Sequence, residues 1–200
     1  MKIIGLDVGV HNLSICRIER DSTNTIVAIE DWKLLDCAPE MNATKLSIED
    51  AVRLVVGTLD QNAPFFENVD VLAIESQPCG RVATSNLKMK TISHAIQTLA
   101  MLRFPEMKTV FVNPKNKLTR EYCGDLLKLE GGDAAVKARY KKHKKLAVDA
   151  CFAIVDGFEE WKEFFEKHKK KDDLSDALLL AAVAERKKSR KRKAKAKKEE

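Results

Sequence analysis

Apolar positions along this chain follow two periods. Residues 2–7 form an apolar run that ends in an acid, Asp7, and is bounded by Gly9, which reads as a buried strand. Leu13 to Ile18 alternates apolar and polar positions and reads as a second strand, folded back by the turn Gly9-Val10-His11-Asn12. After the turn-like Asp21-Ser22-Thr23-Asn24, residues Thr25 to Leu35 read as a third. Three strands with short connections predict an antiparallel meander.

The period then lengthens. Ser47 and Asp50 resemble a capping box, and Ile48, Val52, Val55, Val56 and Leu59 fall at helical spacing. Val69 to Glu75 is a short apolar run ending in an acid, a fourth strand. Residues 86–103 have helical periodicity. Thr109 to Val112 reads as a fifth strand, stopped by Asn113-Pro114. Helices are expected over 118–127, 134–155, 158–168 and from 173 onward, with Gly131-Gly132 separating the first two. This order predicts an α/β architecture, a mixed five-stranded sheet with helices on both faces.

Length allows one domain with a sizeable core, and 44% hydrophobic residues fit a globular chain. No apolar run approaches the roughly 20 residues needed to span a bilayer. Asp7 within the first apolar stretch argues against a signal peptide. Cys16, Cys37, Cys79, Cys123 and Cys151 are odd in number, widely spread and without a C-x-x-C pair. A zinc site or a disulfide framework is therefore not expected, and an intracellular reducing compartment is.

The net charge of +6 is unevenly placed. Residues 186–200 hold ten Lys/Arg and two acids, a net +8, while the other 185 residues hold 26 basic and 28 acidic side chains, a net −2. The expected division is a folded domain over 1–185 and a disordered basic tail over 186–200. The tail suits a polyanionic partner or a nuclear-localisation signal, or serves only solubility.

Two acids stand where an apolar strand ends: Asp7, and Glu75 after Val71-Leu72-Ala73-Ile74. Burying such a carboxylate is costly unless it is paired or binds a cation. Asp173 and Asp176, three apart, share a helix face ahead of the apolar Ala177-Leu178-Leu179-Leu180-Ala181-Ala182-Val183. Each has a plainer reading. Asp172 or Asp173 serves as an N-cap, Asp7 caps the glycine turn, or Glu75 pairs with a lysine or arginine. Convergence from three distant parts of the chain favours a shared cation site. Oxygen-only ligands suit Mg²⁺, with Mn²⁺ able to substitute. Two such ions, roughly 3.5–4 Å apart, can activate water and stabilise the leaving oxygen in phosphodiester cleavage.

The stretch Gly5-Leu6-Asp7-Val8-Gly9-Val10-His11-Asn12-Leu13 resembles the opening motif of RuvC-type Holliday-junction resolvases, nearest to their poxvirus and fungal mitochondrial branch. Ile74-Glu75-Ser76-Gln77 resembles the second motif, and Asp173-Leu174-Ser175-Asp176-Ala177 the D-x-x-D-A motif. The resemblance covers residues 3–183 in order. It implies a ribonuclease H-like fold and a homodimer that nicks two strands of a four-way junction symmetrically. Asp7, Glu75, Asp173 and Asp176 carry over as metal ligands, Asp173 rather than its neighbour Asp172 because of its spacing to Asp176. The resemblance also implies a lysine after the fifth strand that balances phosphate charge, either Lys115 or Lys117, with Lys117 preferred.

Lys137 to Lys145 contains six Lys/Arg and one aromatic residue, so Lys141, Lys142, Lys144 and Lys145 are candidates to follow a DNA backbone; a solvated basic helix is the plainer reading. Arg81, in the loop after Glu75, and Lys88, on the next helix, are further candidates. That helix, with Met89, Met101 and Leu102, suits either a dimer face or the core, and its His94 reads as a packed or interface residue. Competing readings are a general ribonuclease H-like nuclease on other branched DNA or RNA–DNA hybrids and a catalytically inactive DNA-binding protein. An actin-like ATPase shares Asp-x-Gly-x-x-Asn, but the chain is short for two such domains. A site of viral DNA replication fits the tail as well as a nucleus does.

Overall fold

The computed structural model describes residues 1–77, 84–118 and 136–185. Strands β1 (Lys2–Asp7), β2 (Leu13–Arg20) and β3 (Ile26–Leu35) form the expected meander, followed by β4 (Val71–Glu75) and β5 (Lys108–Val112). The order across the sheet is β3-β2-β1-β4-β5. β2 is antiparallel to β1 and β3, whereas β4 is parallel to β1 and β5. The sheet turns parallel because β4 and β5 are reached through helices, α1 (Ile48–Gln61) and α2 (Thr84–Arg103).

Helix α1 starts where Ser47 Oγ accepts a hydrogen bond from the Asp50 N–H at 3.0 Å. The Ser47 hydroxyl also donates to the Asp50 carboxylate, so the acid turns to the hydroxyl rather than to the backbone N–H of a full capping box. α1 and α2 cover one face of the sheet, where Ala51, Val55, Leu59, Ile92 and Ile96 pack against Ile4, Leu6, Leu72 and Ile74. Helices α3 (Val136–Val155), α4 (Glu159–Lys167) and α5 (Lys171–Val183) cover the other. There Phe165 of α4 stacks on the buried Trp32 ring, centroids 5.3 Å apart, beside Ile3, Cys16, Val71 and Ala73.

Several boundaries differ from the periodicity. β2 runs to Arg20, whose N–H still pairs with the Met1 carbonyl at 2.9 Å. α5 begins at Lys171 with Lys170 at its N-cap, so Asp172 and Asp173 lie in the first turn and do not cap it. Short 3₁₀ turns at Ala63–Phe66 and Pro114–Asn116 occupy stretches without periodicity. The helix expected over 118–127 lies, from 119 on, outside the described residues, as do Gly131-Gly132, Cys79, Cys123 and the tail. Cys16, Cys37 and Cys151 are buried free thiols. Among the described residues no helix is long and apolar enough to cross a membrane.

Candidate active site

Strand alternation decides which way the acids face. On β1, Ile4 and Leu6 join the core under α1 and α2, while Ile3 joins the core under α5. On β4, Leu72 and Ile74 take the first side, Val71 and Ala73 the second. Asp7 and Glu75 continue the second series, so both project toward α5. The parallel register pairs Leu6 with Ile74 and so brings Asp7 abreast of Glu75 at the carboxyl ends of adjacent strands.

α5 meets β1 backbone to backbone at Gly5. A Cβ there would stand 2.0 Å from the Ala177 carbonyl oxygen and 2.6 Å from the Ala181 nitrogen. The next position on that face of β1 is Asp7, and the helix residue beside Ala177 is Asp176. Gly9 serves the following turn, where a Cβ would stand 2.6 Å from the Asn12 carbonyl oxygen. The glycine of Asp-x-Gly-x-x-Asn therefore has a local steric cause.

α5 is also tied at both ends. Near the site, Lys144 of α3 pairs with Asp172 at 2.5 Å. At the far end α5 has no basic residue in its last turn, and the buried Arg20 of β2 supplies the charge. Its guanidinium donates to the carbonyls of Ala182 at 3.2 Å and Ala184 at 2.5 Å.

The fourth member arrives from β5. The 3₁₀ turn Pro114–Asn116 folds the chain back so that Lys117, only 8% exposed, enters the acid cluster. Its Nζ lies 2.9 Å from Glu75 Oε1 and 2.9 Å from Asp176 Oδ1.

The charges are strongly perturbed. Burial, then the neighbouring Asp176 and Glu75 charges and a hydrogen bond with Glu75, hold the Asp7 carboxyl well above its usual range, against a lowering pull from Lys117. Burial also raises Asp176; Lys117 opposes this, while Glu75 and Asp173 add to it. Burial and the adjacent Asp172 raise Asp173 against Lys144 and Lys170. For Lys117 burial disfavours the ammonium, but Asp176, Glu75 and Asp7 outweigh it and its pKa is raised.

These residues open into a cleft of about 550 Å³, lined by Asp7, Glu75, Lys117, Asp173 and Asp176 and, on the α3 side, by His143, Lys144 and Ala147. Asp173 thus lines the cleft, whereas Asp172 is spent on Lys144. Lys88 lies on α2, and its Nζ donates to the backbone carbonyls of Ala43 and Leu46, anchoring their loop. Lys142 and Lys145 are exposed on α3. Arg81 and the side chains of Lys115 and Lys141 lie outside the described residues. His143 was not singled out by the sequence. Its basic neighbours were the signal, but a run of charges does not reveal which residue of the helix faces a cleft.

Among the described residues, no three His, Cys, Asp or Glu side chains are already gathered as a metal-binding group. The Lys117 ammonium lies between Glu75 and Asp176 and takes the role of their cation. The donor set still fits a hard divalent ion. Asp7, Glu75 and Asp176 offer only oxygens, their burial demands positive charge, and Asp173 opens onto the same cleft.

No protein-family model and no curated protein sequence matches the chain. Solved structures do match. Thermus thermophilus RuvC, in complex with a Holliday junction substrate, superposes with a TM-score of 0.58 at 12% identity, covering 92% of both chains. The yeast mitochondrial Holliday junction resolvase Ydc2 gives 0.56 at 16% identity, over 90% of this chain and 77% of its own. This is the ribonuclease H-like fold of the RuvC-type resolvases. Fowlpox virus resolvase, solved with its substrate Holliday junction DNA, has that fold too, at a TM-score of 0.53 and 21% identity over 90% of this chain and 94% of its own.

Proposed function

We propose that this protein is a divalent-metal-dependent endonuclease that resolves four-way DNA junctions by paired symmetric nicks. The observation that carries the reading is the cluster Asp7, Glu75, Asp176 and Lys117 at the carboxyl ends of β1, β4 and β5 and the start of α5, opening into one cleft. The fold shared with three junction resolvases, two of them solved with junction DNA, supports the choice of substrate.

Asp7, Glu75, Asp173 and Asp176 would hold two Mg²⁺ ions, which supply an activated water and neutralise charge at the phosphodiester. The chain's own part is to position and to balance charge. The β1–β4 register and the Gly5 contact set the acids against one another. The buried ammonium of Lys117 offers positive charge to a phosphate entering the cleft. Lys142, Lys144 and Lys145 of α3, together with Arg81, Lys115 and Lys141, would follow the DNA backbone. Leu87, His94 and Met101 recur every seven residues along α2, exposed, with the ring of Phe111 of the edge strand β5 tilted against His94, centroids 5.2 Å apart. With the neighbouring Leu102, 78% exposed, this face supports a homodimer, and a dimer supplies the two sites that symmetric nicking needs.

The test is cleavage of a synthetic four-way junction with Mg²⁺, beside linear duplex, flap and RNA–DNA hybrid. Nicks are expected in symmetry-related strands of the junction. Asp7→Asn should lower the rate by at least roughly 100-fold, since even outer-shell metal partners are worth about 10–100-fold, while junction binding persists. Full activity in Asp7→Asn would sink the site assignment; equal cutting of linear duplex would leave a nuclease without junction selectivity.

A further inference from the structure

We propose that Lys117 is the resident cation of the metal-free centre, and that its ammonium leaves Glu75 and Asp176 when a divalent ion enters. The inference rests on the metal-site reading above and adds an order of events to it. Before loading, Lys117 neutralises the two carboxylates; after loading, the same ammonium is free in the cleft for the substrate phosphate.

The geometry sets the two cations in competition for the same oxygens. Nζ lies 2.9 Å from Glu75 Oε1 and 2.9 Å from Asp176 Oδ1. A Mg²⁺ ion binds carboxylate oxygen at about 2.0–2.1 Å. An ion on either of these oxygens would therefore sit within about 5 Å of Nζ, inside a cleft wall where water screens poorly. Both cations also draw on the same lone pairs. An ammonium on a four-carbon stem can rotate away, whereas the acids are fixed by two strands and a helix. The exit is at hand, since Lys117 lines the open cleft and its Nζ is paired with the carboxylates of Glu75 and Asp176.

Lysine acylation of the intact wild-type protein, read by mass spectrometry, tests this directly. Lys117 should be protected without metal and become several-fold more reactive with Mg²⁺, while Lys142 and Lys145 keep their rates. Mn²⁺ affinity, read by electron paramagnetic resonance without DNA, gives a second measure. Lys117→Met should bind Mn²⁺ at least roughly tenfold more tightly than wild type, because the competing charge is gone. If Mn²⁺ binds wild type and is weakened by Asp176→Asn, but Lys117 stays protected or Lys117→Met binds no more tightly, the displacement is overturned and the metal site stands. If Mn²⁺ does not bind, or Asp7→Asn and Asp176→Asn leave its binding unchanged, the metal-site reading itself fails.

Discussion

The two faces of β1 are built on opposite rules. Toward α1 and α2 it offers Ile4 and Leu6, fully buried in a core that also takes Leu72 and Ile74. Toward α5, beyond the buried Ile3, it offers Gly5 and then Asp7, and the helix answers with Ala177, Ala181 and Asp176. The first face maximises apolar volume and keeps its helices at side-chain distance. The second gives up volume so that backbones touch, and the closeness brings an acid of the helix onto the acids of the sheet. Neighbouring residues in sequence thus serve stability and chemistry separately, because alternate strand positions look in opposite directions.

Truncation on the apolar face should cost the most. Ile4→Ala is expected to lose roughly 2–5 kcal/mol of stability in chemical denaturation, with Mn²⁺ affinity of the folded protein unchanged. A matching loss of metal affinity would mean that the faces are not separable. Arg20→Met removes the buried donors at the far end of α5 and should cost roughly 1.5–3 kcal/mol. Gly5→Ala should cost roughly 1–3 kcal/mol by overpacking. Unlike the other two, it should also weaken Mn²⁺ binding, since α5 must shift away with Asp176.

The subtlest comparison is with pH. Asp7 holds its proton to higher pH when folded than when unfolded, so ionising it between those two values costs stability. Metal-free Asp7→Asn should therefore melt at a higher temperature than wild type near neutral pH, and the gap should close as the pH falls through the raised pKa of Asp7. With Mg²⁺ present the order should reverse, because only the wild type gains the bound ion. A gap that is constant with pH would place the strain elsewhere.

Much of this was legible beforehand because it is local. Periodicity located the five strands, and the strand ends at Asp7 and Glu75 drew attention as acids in apolar runs. The helix starting near 173 was found two residues late, since its N-cap, Lys170, makes no side-chain capping bond. The contacts of Lys88 were not legible, because a lysine on a helix beside a site loop carries no mark of the carbonyls it will find, here Ala43 and Leu46, more than forty residues away. Arg20, at the end of a strand, gave no hint that it closes a helix 162 residues further on.

By itself, the sequence determined the elements, the all-oxygen character of the acids and their recurrence in a resolvase-like order, since all of these depend on residue type and short-range spacing. Only the tertiary structure decided that Asp7 and Glu75 lie abreast, that Gly5 admits α5 close enough for Asp176 to join them, and that Lys117 stands between the carboxylates as their cation. Those outcomes depend on register and on backbone approach between segments up to about 170 residues apart. Chain connectivity leaves such distances free until the sheet and its two helical layers have packed.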